Sequence, residues 1–106
     1  MNMKSYTDIE QSKKLAEILP IESADMCFYY KDDIPQLTPF VKHNNRFYIP
    51  CWSLAALLGV IPSASLDSSD DHYFRMHCKE KFSEWYDNPV DVAFEMILKL
   101  KENNLL

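Results

Sequence analysis

The sequence predicts an α+β domain, in which three helices pack on a mostly antiparallel sheet of four to five short strands, in the order α-β-β-β-α-β-β-α. Segments near both ends of the chain repeat apolar residues at helical spacing, whereas the segments between them are rich in the aromatic residues typical of strands. The strand segments come in neighbouring pairs, which favours hairpins and antiparallel pairing. A length of 106 residues suits a single domain spanning residues 1–106.

The first helix is predicted within residues 7–20. Thr7 is the expected N-cap, and Glu10 follows at the spacing of a capping box. Pro20 ends the helix because proline cannot continue the hydrogen-bond ladder. One side of this helix gathers the residues expected to face the core, which are Ile9, Ser12, Leu15, Ala16 and Leu19.

Strands are predicted on both sides of a proline-containing segment. Residues 26–31 include β-prone aromatic side chains and form the first strand. The following "DDIPQLTP" contains two prolines, so we expect a loop or an edge strand. Residues 40–42 and 46–49 are expected to form a hairpin around His43-Asn44-Asn45, because asparagine tolerates the left-handed turn conformation.

The segment "PCWSLAALLGVIP" predicts a short second helix that is apolar on every side. Such a helix is expected to be buried or covered by a partner. Ser53 is the expected N-cap, and the helix ends either at Gly59 or after Ile61, before Pro62. The next residues, "SASLDSSDD", are expected to form a polar loop.

Residues 72–86 alternate between two sets of side chains, which favours strands. Tyr73, Arg75, His77 and Lys79 fall on one face and Phe74, Met76 and Cys78 on the other. We therefore expect a hairpin that turns at Lys79-Glu80-Lys81, with a single helix as the alternative.

The C-terminal helix has the clearest signals. Asn88 is the expected N-cap, Pro89 occupies the first helical position, and Asp91 lies in the first turn, where a negative charge is favourable. Asn103-Asn104 ends the helix. Its apolar side consists of Val90, Ala93, Phe94, Ile97, Leu98 and Leu100.

Two of these segments carry a family resemblance. "PCWSLAALLGVIP" and "NPVDVAFEMILKLKENNLL", with "ADM" after the first helix, resemble an uncharacterised family of short proteins from prophages and mobile elements of gut anaerobic bacteria. The resemblance covers about residues 14–106 and is weakest over residues 61–81. It implies a cytoplasmic protein of a mobile element, and it implies no activity, cofactor or catalytic residue.

Charge and composition exclude several classes of function. The net charge of −5 repels phosphate backbones and anionic lipids, so we expect neither nucleic-acid nor membrane binding. Three cysteines without a C-x-x-C spacing, after a start that lacks a secretory signal, indicate free thiols in the cytoplasm. The single glycine rules out the glycine-rich loops that hold nucleotides, and we expect no cofactor.

Cys51 is the only candidate for nucleophilic chemistry. A thiol at a helix N-terminus can become a nucleophile when a histidine activates it, and His43, His72 and His77 are the available histidines. The apolar sequence around Cys51 instead favours a small buried residue beside an aromatic anchor, Trp52. A thiol-dependent enzyme is therefore the alternative function. No spacing of histidine, cysteine or acidic residues matches a metal site.

The aromatic residues on the proposed strands point to a different function. If helices cover one face of the sheet, the other face exposes aromatic side chains and forms an interaction surface, unless both faces are covered. We expect a non-catalytic module that binds another protein or itself as a homodimer, through these residues or the second helix. The candidate interaction surface consists of Tyr29, Tyr48, Trp52, Tyr73 and Trp85.

Overall fold

The computed structural model describes residues 4–39 and 48–106, and it confirms the α+β class with three helices. None of these helices is long and apolar enough to cross a bilayer. The helices are α1 (Ile9–Ala16), α2 (Leu54–Val60) and α3 (Pro89–Glu102). The strands are β1 (Met26–Lys31), β2 (Ile34–Pro39), β3 (Tyr48–Cys51), β4 (Ser65–Ser68), β5 (Phe74–Cys78) and β6 (Lys81–Phe82).

The six strands form two antiparallel sheets of three strands each, where we had expected one sheet of four to five strands. The strand orders are β2-β1-β3 and β4-β5-β6. Directly after β3, the N-terminal segment lies against the chain. The Thr7 N–H donates to the Trp52 carbonyl at 2.9 Å, and the Leu54 N–H donates to the Ser5 carbonyl at 3.2 Å.

β1 and β2 form a hairpin that turns at Asp32 and Asp33. Both residues have positive φ, 53° and 62°, as a two-residue turn between twisted strands requires. We had expected the proline-containing segment to be a loop or an edge strand, and it is an edge strand. The hairpin expected at residues 40–49 lies outside the described residues except for its last two, which belong to β3.

The hairpin alternative is confirmed over β5 and β6, but the second strand ends at Phe82 and does not continue to residue 86. β5 and β6 join through Lys79 and Glu80, whose φ values are 49° and 68°. We had expected a polar loop at residues 63–71, but four of these residues, Ser65–Ser68, form β4 and pair with β5. Its Ser-Leu-Asp-Ser sequence has little intrinsic strand preference, so the pairing with β5 determines its conformation.

Two of the three predicted helix starts are correct. Ser53 caps α2 and Asn88 caps α3, each accepting a backbone N–H. The N-cap of α1 is Asp8 rather than Thr7, and it forms a capping box with Gln11. Thr7 is instead completely buried, and its hydroxyl accepts the Trp52 N–H at 3.1 Å.

α3 is the centre of the hydrophobic core. It packs on β5 and β6 on one side and against α2 on another. Trp52 is completely buried, and its indole N–H donates to the Ser23 hydroxyl at 2.9 Å. α2 is not buried on every side, since only Leu57 is fully enclosed and Leu58 is 41% exposed. The molecule measures only 17 Å along its shortest axis.

Candidate functional site

The structure separates the five residues predicted for the interaction surface. Tyr29 and Tyr48 form a cross-strand pair in the first sheet, with ring centroids 5.9 Å apart, and both are partly buried. Tyr73 and Trp85 belong to the second sheet region and are 47% and 41% exposed. Trp52 must be removed from the set, because a side chain with 0% exposure cannot contribute to a surface.

The second sheet turns one face to α3 and the other away from it. Met76 and Cys78 of β5 are buried in the core beneath α3. Since side chains alternate along a strand, Arg75 and His77 point to the opposite face. We call this side the outer face and define it by Tyr73, Arg75, His77, Phe82 and Trp85.

Arg75 is at the centre of the outer face. The carbon of its guanidinium lies 5.0 Å from the ring centroid of Phe82 and 4.8 Å from that of Trp85, which are cation–π distances. One terminal nitrogen lies 3.5 Å from the Asp67 carboxylate on the neighbouring strand. The Nε atom is buried and has no hydrogen-bond partner among residues 4–39 and 48–106.

His77 and Phe82 extend this arrangement across the hairpin. The two residues are cross-strand partners, and their rings stack with centroids 5.2 Å apart and an interplanar angle of 22°. The outer face is therefore a row of stacked planar groups whose relative positions the strand register fixes. His72 lies outside this row, in the exposed loop before β5, with φ of 64°.

The chemistry of Cys51 does not favour a nucleophile. Its sulfur is completely buried and donates to the Thr7 carbonyl at 3.3 Å. Burial raises the pKa of the thiol, and hydrogen bonds from Thr7 and Ser12 only partly oppose this. In the part of the chain that the structure describes, its hydrogen-bond partners are therefore hydroxyl and carbonyl groups, as a buried structural cysteine requires.

A polar cluster joins the N-terminal segment to α3. The Asp91 carboxylate accepts hydrogen bonds from Lys4 at 2.8 Å, Gln11 at 2.7 Å and Asn88 at 2.8 Å. Burial alone would raise the pKa of Asp91, but these hydrogen bonds lower it below its usual value. Burial would likewise lower the pKa of Lys4, and its bonds to Asp91 and Asp8 raise it. Each of these side chains has hydrogen-bond partners within the protein, so the cluster stabilises the contact between the N-terminal segment and α3.

The described residues contain no group of three or more histidine, cysteine or acidic side chains that could hold a metal ion. A groove of about 570 Å³ lies between the end of α1, the end of α2 and the C-terminus. Most of its lining residues are apolar, and Lys79 and Lys101 are also among them. The Lys79 ammonium already donates to the Leu105 carbonyl at 3.2 Å.

Sequence reasoning missed three members of the outer face. Arg75, His77 and Phe82 were not among the five candidate residues, although the alternation of residues 73–79 places Arg75 and His77 on one side. The signal that could have found Phe82 is the hairpin register, since a turn at Lys79-Glu80 sets Phe82 opposite His77.

Comparisons with known proteins give no further indication of the site. No protein-family model matches the sequence, and neither a curated protein nor a solved structure matches the chain. The resemblance to the mobile-element family stays a hypothesis.

Proposed function

We propose that the protein is a non-catalytic protein–protein interaction module whose outer face binds another protein. One observation carries this proposal: the Arg75 guanidinium packs on the rings of Phe82 and Trp85, while these two rings are 49% and 41% exposed. Tryptophan and arginine are the residues most enriched at the energetic centres of protein interfaces.

The stacked arrangement also lowers the entropic cost of binding. A free arginine side chain loses several rotamers when a partner immobilises it, which opposes association. Here the contacts with Phe82, Trp85 and Asp67 already restrict Arg75. The outer face therefore offers exposed aromatic rings with the partly exposed Arg75 guanidinium beside them.

The outer face indicates which chemical groups a partner would present. Apolar or aromatic side chains would cover Phe82 and Trp85, and a carboxylate or carbonyl oxygen would accept from the remaining N–H groups of Arg75. The resemblance to the mobile-element family supports a cytoplasmic accessory role for such a module. The burial of Cys51 supports binding over the thiol-dependent enzyme that we kept as the alternative.

A capture experiment with matched variants tests this function. Immobilised protein is exposed to a lysate of the encoding cell, and the retained protein is identified and then titrated by calorimetry. We expect Trp85→Ala to weaken binding of that protein by about 2 kcal/mol, or roughly 30-fold. Arg75→Lys should also weaken it, because lysine keeps the charge but loses the planar stack.

Tyr30→Ala is the matched control, because Tyr30 is an aromatic side chain with 48% exposure on the other sheet. It should bind like the unmodified protein. The proposal is wrong if nothing is retained above background, or if Trp85→Ala and Tyr30→Ala bind equally well.

A further inference from the structure

The two described sheets have four edges, and the chain closes three of them. An unpaired edge exposes main-chain N–H and C=O groups that can pair with another strand. On β2, Pro35 and Pro39 stand opposite Tyr30 and Met26. Proline has no N–H, so the β1–β2 ladder is complete only if both proline nitrogens face outward, where they block pairing.

The edge at β3 is closed in two ways. Pro50 stands opposite Cys27 in the register with β1 and also removes a donor from this strand. Beyond the strand, the N-terminal segment pairs with the chain, as the bridge between Tyr6 and Ser53 shows. A further strand therefore has little main chain to pair with at this edge.

The edge at β6 is capped by side chains of α3. The Lys99 ammonium donates to the Phe82 carbonyl, and the Glu84 N–H donates to the Glu95 carboxylate at 2.7 Å. These groups would otherwise point away from the sheet without partners. Charged side chains of α3 thus block further strand pairing at β6, as prolines do at β2.

β4 differs from the other three edges. Phe74 and Met76, which lie opposite Ser68 and Leu66, make their own hydrogen bonds toward Tyr86 and Ser83 on the other side of β5. In an antiparallel pair, two facing residues either bond each other or both direct their N–H and C=O groups away. The N–H and C=O groups of Leu66 and Ser68 must therefore also point away from β5. Within the described ranges these groups have no partner, and the side chain of Leu66 is 42% exposed.

We propose that β4 pairs with β4 of a second copy of this chain, which joins the two second sheets into one six-stranded antiparallel sheet. The strand is self-complementary about a two-fold axis at Leu66. Leu66 then faces Leu66 of the other copy, and Ala64 faces Ser68, so the outward main-chain groups are paired.

Charge opposes one shift of this register. With the axis at Leu66, the Asp67 carboxylate faces the Ser65 hydroxyl of the other copy, which can donate to it. A shift that moves the axis to Asp67 would place the two Asp67 carboxylates opposite each other, which destabilises a sheet. Arg75 and the outer face are not needed for this contact, so it extends the proposed function without depending on it.

Molecular mass measured by sedimentation tests the contact. The interface is small, so we expect a rise from 12.5 kDa toward twice that mass above concentrations on the order of 0.1 mM. Leu66→Lys should abolish the rise, because two ammonium groups would then face each other. Leu66→Pro should also abolish it while keeping the β4–β5 ladder, since the N–H it removes points outward.

Leu58→Lys is the control for Leu66→Lys, because Leu58 is equally exposed, at 41%, on α2. It should dimerise like the unmodified protein, and circular dichroism should show that each variant is folded. A mass of 12.5 kDa up to about 2 mM would overturn the proposal, as would a dimer that persists in Leu66→Lys.

Disulfide crosslinking tests the register. Facing residues in a hydrogen-bonded pair have Cα atoms about 5.5 Å apart, within the range of a disulfide. Leu66→Cys should therefore form a crosslinked dimer on oxidation. Ser68→Cys should not, because the two Ser68 positions would lie roughly 14 Å apart. Crosslinking through Ser68→Cys alone would contradict the proposed axis.

The two proposals can fail separately. If sedimentation shows only monomers while Trp85→Ala still loses a captured protein, the self-pairing is wrong and the interaction module stands. If Leu66→Lys abolishes the dimer while Trp85→Ala changes no binding, the self-pairing of β4 stands and the interaction module is wrong.

Discussion

At the scale of single residues, a cluster of charged and polar side chains lies where the N-terminal segment meets α3. Lys4 precedes α1 in the chain, yet its ammonium reaches Asp91 in the first turn of α3. Asp91 also complements the positive end of the helix dipole. One carboxylate therefore supports both the start of a helix and a contact between segments 87 residues apart.

Stability should depend on pH through Asp91. Its pKa is lowered in the folded state, so its stabilisation is complete above the unfolded value of 3.8 and is lost as the pH falls through the folded value. Lys4 has a raised pKa, so its stabilisation is lost as the pH rises above 10.5 through the folded value. We expect Asp91→Asn to lower the free energy of unfolding at pH 7 by about 1–2 kcal/mol, measured with urea.

Asp8→Asn is the control for this experiment. Its carboxylate is 53% exposed and also bonds Lys4, while asparagine preserves the N-cap. A loss below about 0.5 kcal/mol is expected for this exposed pair. If Asp91→Asn leaves the acid dependence of stability unchanged, then Asp91 does not produce it.

At the scale of elements, the hairpin turns show how the chain manages with a single glycine. Asp32 and Asp33 both adopt positive φ, which asparagine and glycine accept at lower cost than other residues. The β1–β2 turn is therefore under local strain that its sequence does not relieve.

The double substitution Asp32→Asn, Asp33→Gly should relieve this strain. We expect the free energy of unfolding to increase by about 0.5–1 kcal/mol, measured by thermal or urea denaturation. Asp70→Asn with Asp71→Gly is the matched control, because neither residue has positive φ. An equal gain in both double variants would show that lost negative charge, rather than turn geometry, is responsible.

The elements differ in how far the sequence could predict them. The cap and the proline of α3 were predictable because both are local signals, whereas its apolar side was predicted only in part, since Val92 and Met96 are also buried. β4 was not predictable, because Ser65–Ser68 becomes a strand only through its pairing with β5. The cap of α1 was placed one residue early, since Thr7 and Asp8 both suit an N-cap and only the contact of Thr7 with Trp52 distinguishes them.

The candidate site, like the elements, could be predicted only where local signals determine it. The alternation of residues 73–79 correctly assigned Arg75 and His77 to one side of a strand. The inclusion of Trp52 was wrong because residue type alone does not separate an exposed aromatic from a buried anchor. That distinction depends on which elements pack together, and no local pattern encodes it.

At the scale of the whole molecule, the hydrophobic core is unevenly distributed. The main cluster of buried residues joins α3, α2, β5 and the end of α1, and it includes no residue of β1 or β2. The first sheet is attached mainly through β3, which contacts α1. Regions outside the main core are expected to open at lower free energy than the core itself.

Native-state hydrogen exchange should show this difference. We expect amides of β1 and β2 to exchange at least about 10-fold faster than those in the centre of α3, because their opening does not require the core to unfold. Amides of β5 should match α3, since Met76 and Cys78 belong to the same cluster. Equal protection in β1 and α3 would indicate a single cooperative unit.

The placement of the three cysteines turns them into natural reporters of this opening. Cys27 lies in β1, Cys51 in β3 and Cys78 in β5, and all three are buried. An alkylating reagent can reach each sulfur only while its own strand is detached, so the order of modification, mapped by peptide mass, would give the sequence in which the strands separate. The protein thus carries one intrinsic probe for the first sheet, one for its junction with the N-terminal segment and one for the second sheet, without the need for an introduced label.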